Sequence, residues 1–235
     1  GCDDSTLRDS SSIYARYIQP EFSPNNGALN KPAFPVYTDP SARLKASETN
    51  QCFLLSNVFR AQKPRIAYNS TNKNIGSSDF EIAYEFARAA SATRGDIGVQ
   101  RVSLDSSNNG SVQNPTFTEY VVKGEGGAVL ANPDIISYLD HTVLAYDNHS
   151  TISLKSLTLD LQELSSVTLA LGDNEGKREP RLSAGFGVAS NSSNGVDVIA
   201  LSFIDKNNFS AAILDGNLNI IKGPVNISSA QNSHS

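Results

Sequence analysis

The sequence contains no methionine and no tryptophan, and only two of its 235 residues are cysteine. It also lacks any apolar run of 18 residues, so no helix that could cross a bilayer is expected. The missing initiator methionine suggests a processed or trimmed amino terminus. Basic residues are few and scattered, and the formal net charge is −5, which argues against a nucleic-acid partner that would require a basic face. The three histidines, His141, His149 and His234, stand far from either cysteine. With no Cys-x-x-Cys and no Cys/His spacing, no zinc, haem or iron–sulfur site is expected. No phosphate-cradling glycine loop or Gly-x-Ser-x-Gly elbow occurs, so neither a cofactor nor a metal is anticipated.

What is present is polar and rich in turn formers. Gly1-Cys2-Asp3-Asp4-Ser5 opens a polar stretch that runs through Ser12. It resembles the cleavage region of bacterial lipoproteins, where a small residue precedes a lipidated cysteine and a polar tether follows. That resemblance makes Cys2 a lipidation candidate and places the chain in the cell envelope, with a lipid on Cys2 as its one membrane contact. A disulfide between Cys2 and Cys52 is the alternative, since an even cysteine count in a secreted protein permits pairing. Closing a loop of about 50 residues would contribute about 3–4 kcal/mol in the chain-entropy model. A buried, inert Cys52 within Cys52-Phe53-Leu54-Leu55 is a further alternative.

The chain divides into a tether over 1–12, an irregular proline-rich segment over 13–50, a repeated β-sheet domain over 51–228 and a polar tail over 229–235. Pro20, Pro24, Pro32, Pro35 and Pro40 exclude a helix or central strand from the second segment. From residue 51 onward, short apolar runs alternate with Asn, Gly, Ser and Asp clusters, the pattern of an all-β domain. Three units can be laid over one another. They begin at Lys63-Pro64-Arg65-Ile66, Asn132-Pro133-Asp134-Ile135 and Glu179-Pro180-Arg181-Leu182. Each continues with a strand (Phe80 to Glu85, Thr142 to Asp147, Val196 to Leu201) and then one ending in Leu-Asp (Leu104-Asp105, Leu159-Asp160, Leu214-Asp215). Val143 to Tyr146 and Val198 to Leu201 are unbroken apolar runs and are expected to be covered on both faces.

Residues 78–92 carry two conflicting signals. Ser78 and Glu81 form a capping box and Ala87 to Ala92 favours helix. Phe80, Ile82, Tyr84 and Phe86 nevertheless alternate strictly, and the segment fills the second-strand slot of its unit, so residues 80–86 are read as strand.

Lys63-Pro64-Arg65-Ile66, Ile82-Ala83-Tyr84-Glu85, Leu144-Ala145-Tyr146-Asp147 and the Leu-Asp turns resemble blades of sialidase-like extracellular β-propellers. The resemblance covers about residues 50–227 and implies propeller-like repeats of four-stranded antiparallel sheets, with a β-sandwich as the alternative fold. It implies a glycan-active hydrolase as one function. Phe59-Arg60-Ala61 followed by Pro64 departs from the family's Phe-Arg-x-Pro element by two residues, and the absence of tryptophan removes Trp-containing Asp boxes. Arg65, Arg181, Tyr84 and Tyr146 fall in equivalent slots of different units, which points to architecture before catalysis. Glu81, Glu85, Asp134, Asp140 and Asp147 could supply a carboxylate pair, yet no spacing singles one out.

Arg94-Gly95-Asp96 is a tripeptide of the kind some integrins recognise, and a Gly-Asp turn is its simpler explanation. Asp147-Asn148, Asp173-Asn174-Glu175-Gly176 and Asp205-Lys206-Asn207 match no EF-hand loop and read as turns. Asn69, Asn109, Asn148, Asn191, Asn208 and Asn226 head Asn-x-Ser/Thr sequons compatible with a surface protein. With no catalytic residue assigned, the expectation is a non-catalytic cell-surface or secreted protein that binds a glycan or a protein. A structural subunit of a surface assembly is the third reading, and an oligomer is left open.

Overall fold

The computed structural model describes residues 14–15, 34–35, 59–69, 77–87, 95–105, 116–126, 128–169, 177–188, 195–206 and 208–229. They are built from strands alone. A two-residue pair, β1 (Tyr14–Ala15) and β2 (Phe34–Pro35), lies in the proline-rich segment. Three four-stranded antiparallel sheets follow in chain order. The first holds β3 (Phe59–Asn69), β4 (Ser77–Ala87), β5 (Asp96–Asp105) and β6 (Thr116–Val122). The second holds β7 (Ala131–Tyr138), β8 (His141–Asp147), β9 (Ile152–Thr158) and β10 (Glu163–Leu169). The third holds β11 (Lys177–Val188), β12 (Gly195–Asp205), β13 (Asn208–Leu214) and β14 (Ile220–Ser229). The all-β reading and the repeat therefore stand, with three sheets that do not close into a ring.

The alternation of Phe80, Ile82, Tyr84 and Phe86 prevails over the capping box, and β4 runs unbroken through it. Strand pairing on both sides satisfies its backbone groups: Ile82 pairs with Ile66 on one side and Gln100 on the other. The 88–92 tail lies outside the described residues.

Each sheet opens with the same irregularity. Lys63, Asn132 and Glu179 have φ of 51°, 52° and 55°, and each precedes a proline. At each site the register skips two residues: between Gln62 and Arg65, between Ala131 and Asp134, and between Arg178 and Arg181. A left-handed non-glycine residue is uncommon, so three at one station mark a repeated bulge. Proline suits the unpaired station because it has no N–H to satisfy.

The first strands β3, β7 and β11 lie nearest one another, and β4 and β8 pack onto the first strand of the neighbouring sheet. Two cores result. The forward face of the first sheet (Ala83, Ile97, Val99) meets the rear face of the second (Ile135, Leu144, Leu157). The second sheet's forward face (Val143, Ala145, Leu154) meets the third sheet's rear face (Leu201, Phe203, Leu214). All seven residues of β8 are buried, as its unbroken apolar run requires for a strand covered on both faces. The same expectation for Val198 to Leu201 is corrected. Ile199 and Leu201 are buried against the second sheet, but Val198 and Ala200 on the other face are only half-buried.

The turns repeat as well. In both β9–β10 and β13–β14 a left-handed leucine, Leu161 or Leu218 (φ 58° and 65°), closes a three-residue loop. Leu161 N donates to Thr158 O at 2.9 Å and Leu218 N to Asp215 O at 3.0 Å. Both leucines insert into a core, Leu161 into the first and Leu218 into the second. The superposition moves one expected equivalence. Asp215 stands where Thr158 stands, so Leu214-Asp215 falls two residues ahead of Leu159-Asp160.

Candidate functional site

The sheets are joined by carboxylates aimed at backbone. Glu85, near the end of β4, accepts Asn132 N at 2.5 Å, Gln62 Nε2 at 2.7 Å and the Lys63 ammonium at 3.0 Å. Asp147 occupies the same station in the second sheet, where Ala131 pairs with Asp147 as Gln62 pairs with Glu85. It accepts Glu179 N at 2.8 Å and Asn132 Nδ2 at 2.8 Å, while its other oxygen takes His149 N at 3.1 Å. In both cases the carboxylate meets the left-handed residue that opens the next sheet. Lys63 Nζ also reaches Asn132 Oδ1 at 2.8 Å, which completes a polar line across all three sheets.

Asp134 makes a second link, with Oδ2 accepting Leu182 N at 2.7 Å and Oδ1 lying 3.7 Å from Arg65 Nε. Glu85, Asp134 and Asp147 are buried, and charge-assisted bonds to N–H groups suit buried carboxylates. Three of the five candidate acids thus converge where the first strands meet, and each is engaged with main chain of the following sheet. The others stand apart. Glu81 is buried and pairs in register with Arg101, and Asp140 is exposed in the β7–β8 turn beside His141. The His141 contact, with backbone bonding, holds the Asp140 carboxyl below its ordinary range.

A second polar group lies between the first two sheets. Tyr120 Oη donates to Glu163 Oε2 at 2.5 Å, and Lys155 Nζ donates to the same oxygen at 2.7 Å and to Ser166 Oγ at 3.3 Å. The bond from Lys155, then that from Tyr120, lowers the Glu163 pKa against the opposing effect of burial. Burial first, then Glu163, pushes the Tyr120 phenol well above its ordinary value. On the other edge of this interface Arg101 donates to Leu159 O and lies 3.8 Å from Asp160.

The remaining sequence candidates resolve into structural roles. Arg65 and Arg181 do share one station, paired with Ala83 and Ser202, and so do Tyr84 and Tyr146. Asp96 accepts Gly124 N at 2.9 Å; its neighbour Arg94 lies outside the described residues. Asn148 forms an Asx turn, its Oδ1 taking Ser150 N at 3.1 Å and Thr151 N at 2.8 Å. Asp205 and Lys206 form a tight hairpin with Lys206 left-handed. No cluster of three metal-ligating side chains occurs among the described residues. Cys2, Cys52, His234 and the 173–176 turn lie outside them.

The feature that sequence reasoning missed is the forward face of the third sheet. In register, Phe209 stands where Ile97 and Ile152 stand in the other sheets, and Ala211 where Val99 and Leu154 stand. Ile97 and Ile152 are fully buried, whereas Phe209 is 48% exposed and the adjoining Val225 54% exposed. Ile204 stands at the Glu85 and Asp147 station, paired with Arg178. The signal was present in the sequence as the column Glu85, Asp147, Ile204, but it emerges only when strands are aligned by register. Four strands about seven residues long span about 450 Å² at a rise of about 3.3 Å and a spacing of about 4.8 Å. Ala200, Ile204, Phe209, Ala211 and Val225 make part of that face apolar, with Phe209 and Val225 exposed, and exposed apolar patches mark interaction surfaces.

Comparison with protein-family models, curated proteins and solved structures gives no match.

Proposed function

We propose that the chain is a non-catalytic cell-surface or secreted binding protein that engages a protein partner through the forward face of its third sheet. Its units are propeller-like blades in this reading, anchored in the envelope through Cys2 or secreted. The observation that carries the reading is Phe209, which is half exposed while Ile97 and Ile152 at the same station are fully buried. In a stack of sheets, a face that met only water would be polar. This one carries Ala200, Ile204, Phe209, Ala211 and Val225. A protein is favoured over a glycan because Ala200, Ile204, Phe209 and Ala211 surround Ser202, so apolar side chains outnumber the groups that could orient a sugar.

The glycan-hydrolase alternative has less support. Glu85, Asp134 and Asp147, the convergent acids, spend their oxygens on N–H groups that join the sheets. The test is to place a photo-crosslinking benzoylphenylalanine at position 209 of the chain in its native host. A protease-sensitive, glycosidase-resistant adduct is expected at 209 and not at the buried position 199. Adducts that disappear with glycosidase, or none at all, would overturn the reading. Mass measurement of the native amino terminus tests the anchor, with a diacylglyceryl group on Cys2 expected for the envelope.

A further inference from the structure

The joint between the first and second sheets brings together groups that can react with one another. Lys63 on β3 and Asn132 on β7 stand 69 positions apart in the chain, yet Lys63 Nζ donates to Asn132 Oδ1 at 2.8 Å. An amine nitrogen that close to an amide oxygen is a small rotation of its own stem away from the amide carbon. The same ammonium lies 3.0 Å from Glu85 Oε1, and Glu85 is buried. Asn132 is held from two directions. Its backbone N–H donates to that Glu85 oxygen at 2.5 Å, and its Nδ2 donates to buried Asp147 at 2.8 Å. The bond to Asp147 sets which way round the amide lies, with its oxygen toward Lys63 and its nitrogen toward Asp147. The second joint is built alike but has different chemistry. Its left-handed stations are Asn132 and Glu179, so no amine faces an amide there. Lys155, between the first two sheets, bonds to a carboxylate and a hydroxyl, Glu163 and Ser166, rather than to an amide.

We infer that Lys63 and Asn132 form an autocatalytic isopeptide bond, Nζ to Cγ, which ties the first sheet covalently to the second, with Glu85 as the proton carrier. Glu85 takes a proton from the Lys63 ammonium and frees the nitrogen lone pair. The lone pair attacks Asn132 Cγ, and the Cγ–Nδ2 bond breaks as the carbonyl re-forms. The attacking nitrogen gives up a second proton, and both protons end on the departing nitrogen, which leaves as ammonium. A lysine cation enters and an ammonium ion departs, so atoms and charge balance and Glu85 is returned as carboxylate. The fold supplies proximity, by holding amine and amide in contact, and general acid–base help from a carboxylate within reach. Half of the Lys63 side chain is exposed, which gives the ammonium ion a way out. The new bond closes a long loop through the first sheet and limits the freedom of the unfolded chain, as a disulfide does. The crosslink is independent of what the third sheet binds.

The experiment is mass spectrometry of the full chain, folded and then denatured, beside its variants. The wild type should weigh one ammonia less than its sequence, and digestion should release a branched peptide in which Lys63 is joined to Asn132. Lys63→Arg keeps a cation at a half-exposed position, so it should fold, show its full sequence mass, give no branched peptide and melt lower than the wild type. Glu85→Gln, with its circular dichroism unchanged, should link at least tenfold more slowly. Should that variant fail to fold, the comparison with Lys63→Arg decides the bond by itself. A folded wild-type chain at its full sequence mass, with Lys63 open to acetylation, would overturn the proposal. So would an ammonia loss that persists in Lys63→Arg, because an asparagine that cyclises on its own backbone loses the same mass. Linkage at an undiminished rate in folded Glu85→Gln would remove Glu85 from the step.

Discussion

Asp147 receives the backbone N–H of Glu179 at 2.8 Å across the gap between the second and third sheets, as Glu85 receives that of Asn132 between the first and second. The donor in each pair is held in place by its own left-handed conformation, and the acceptor sits on a strand buried on both sides. The attachment between sheets is thus a side chain to main-chain bond in a dry setting, where losing one partner leaves the other unsatisfied.

Replacing that acceptor should be expensive. Asp147→Ala strands the Glu179 N–H and the Asn132 amide, each costing about 1–3 kcal/mol when buried without a partner. A loss of about 3 kcal/mol is expected from urea denaturation with little change in m-value. Ile204→Asp at the equivalent station of the third sheet should stay within about 1 kcal/mol of wild type, because that position faces outward.

Identical truncations should separate the covered faces from the open one. Ile152→Ala removes a fully buried side chain and should cost about 2–4 kcal/mol through lost transfer and residual cavity. Phe209→Ala removes a larger but half-exposed ring and should cost about 1 kcal/mol or less in the free chain. Thermal melts of the two variants side by side check the order.

At Leu218 the usual ranking of alanine above glycine should invert. The residue is 1% exposed at φ 65°, so Leu218→Ala loses the burial and keeps the left-handed strain. Leu218→Gly loses the same burial but relieves about 1–2 kcal/mol of strain. The glycine variant should therefore melt higher than the alanine variant. Leu161 provides an independent repeat of the comparison.

Tyr120 and Glu163 give opposite pH signatures. The Glu163 pKa is lowered in the fold by Lys155 and Tyr120, so its contribution is present above the unfolded carboxyl value and fades as pH falls through the folded one. Glu163→Gln should flatten the acid limb of a stability-against-pH curve, modestly because the side chain is 40% exposed. The Tyr120 phenol is raised, so its contribution is present below the unfolded value near 10 and fades at more alkaline pH. Tyr138 and Tyr146 are raised as well, so phenolate absorbance should show a late-titrating group of tyrosines in the folded chain, and Tyr120→Phe should reduce that late group by one.

Much of the architecture was readable because its signals are local. The Pro-led openings at 64, 133 and 180 each announced a strand that could spare one backbone donor, and the structure gives all three the same bulge. The alternation through Phe80 to Phe86 settled β4 against a capping box, since pairing on two sides outweighs a helix end. The site was harder to see because it depends on register. Counting outward from each proline misses it, since the loops between second and third strands differ in length. Only pairing places Phe209 with Ile152 and Ile204 with Asp147. Val198 to Leu201 shows the limit most clearly: an apolar run states that a strand can be covered on two sides, and whether anything lies there is decided by its neighbours.

The left-handed opening of each sheet has an evolutionary corollary. Because the donor in the joint is main chain, the joint does not require one particular side chain, and lysine, asparagine and glutamate occupy that one station. A unit could then be duplicated, lost or exchanged by recombination as long as the acidic partner on the preceding sheet is kept under selection. A chain organised in this way can change its number of sheets without redesigning each seam.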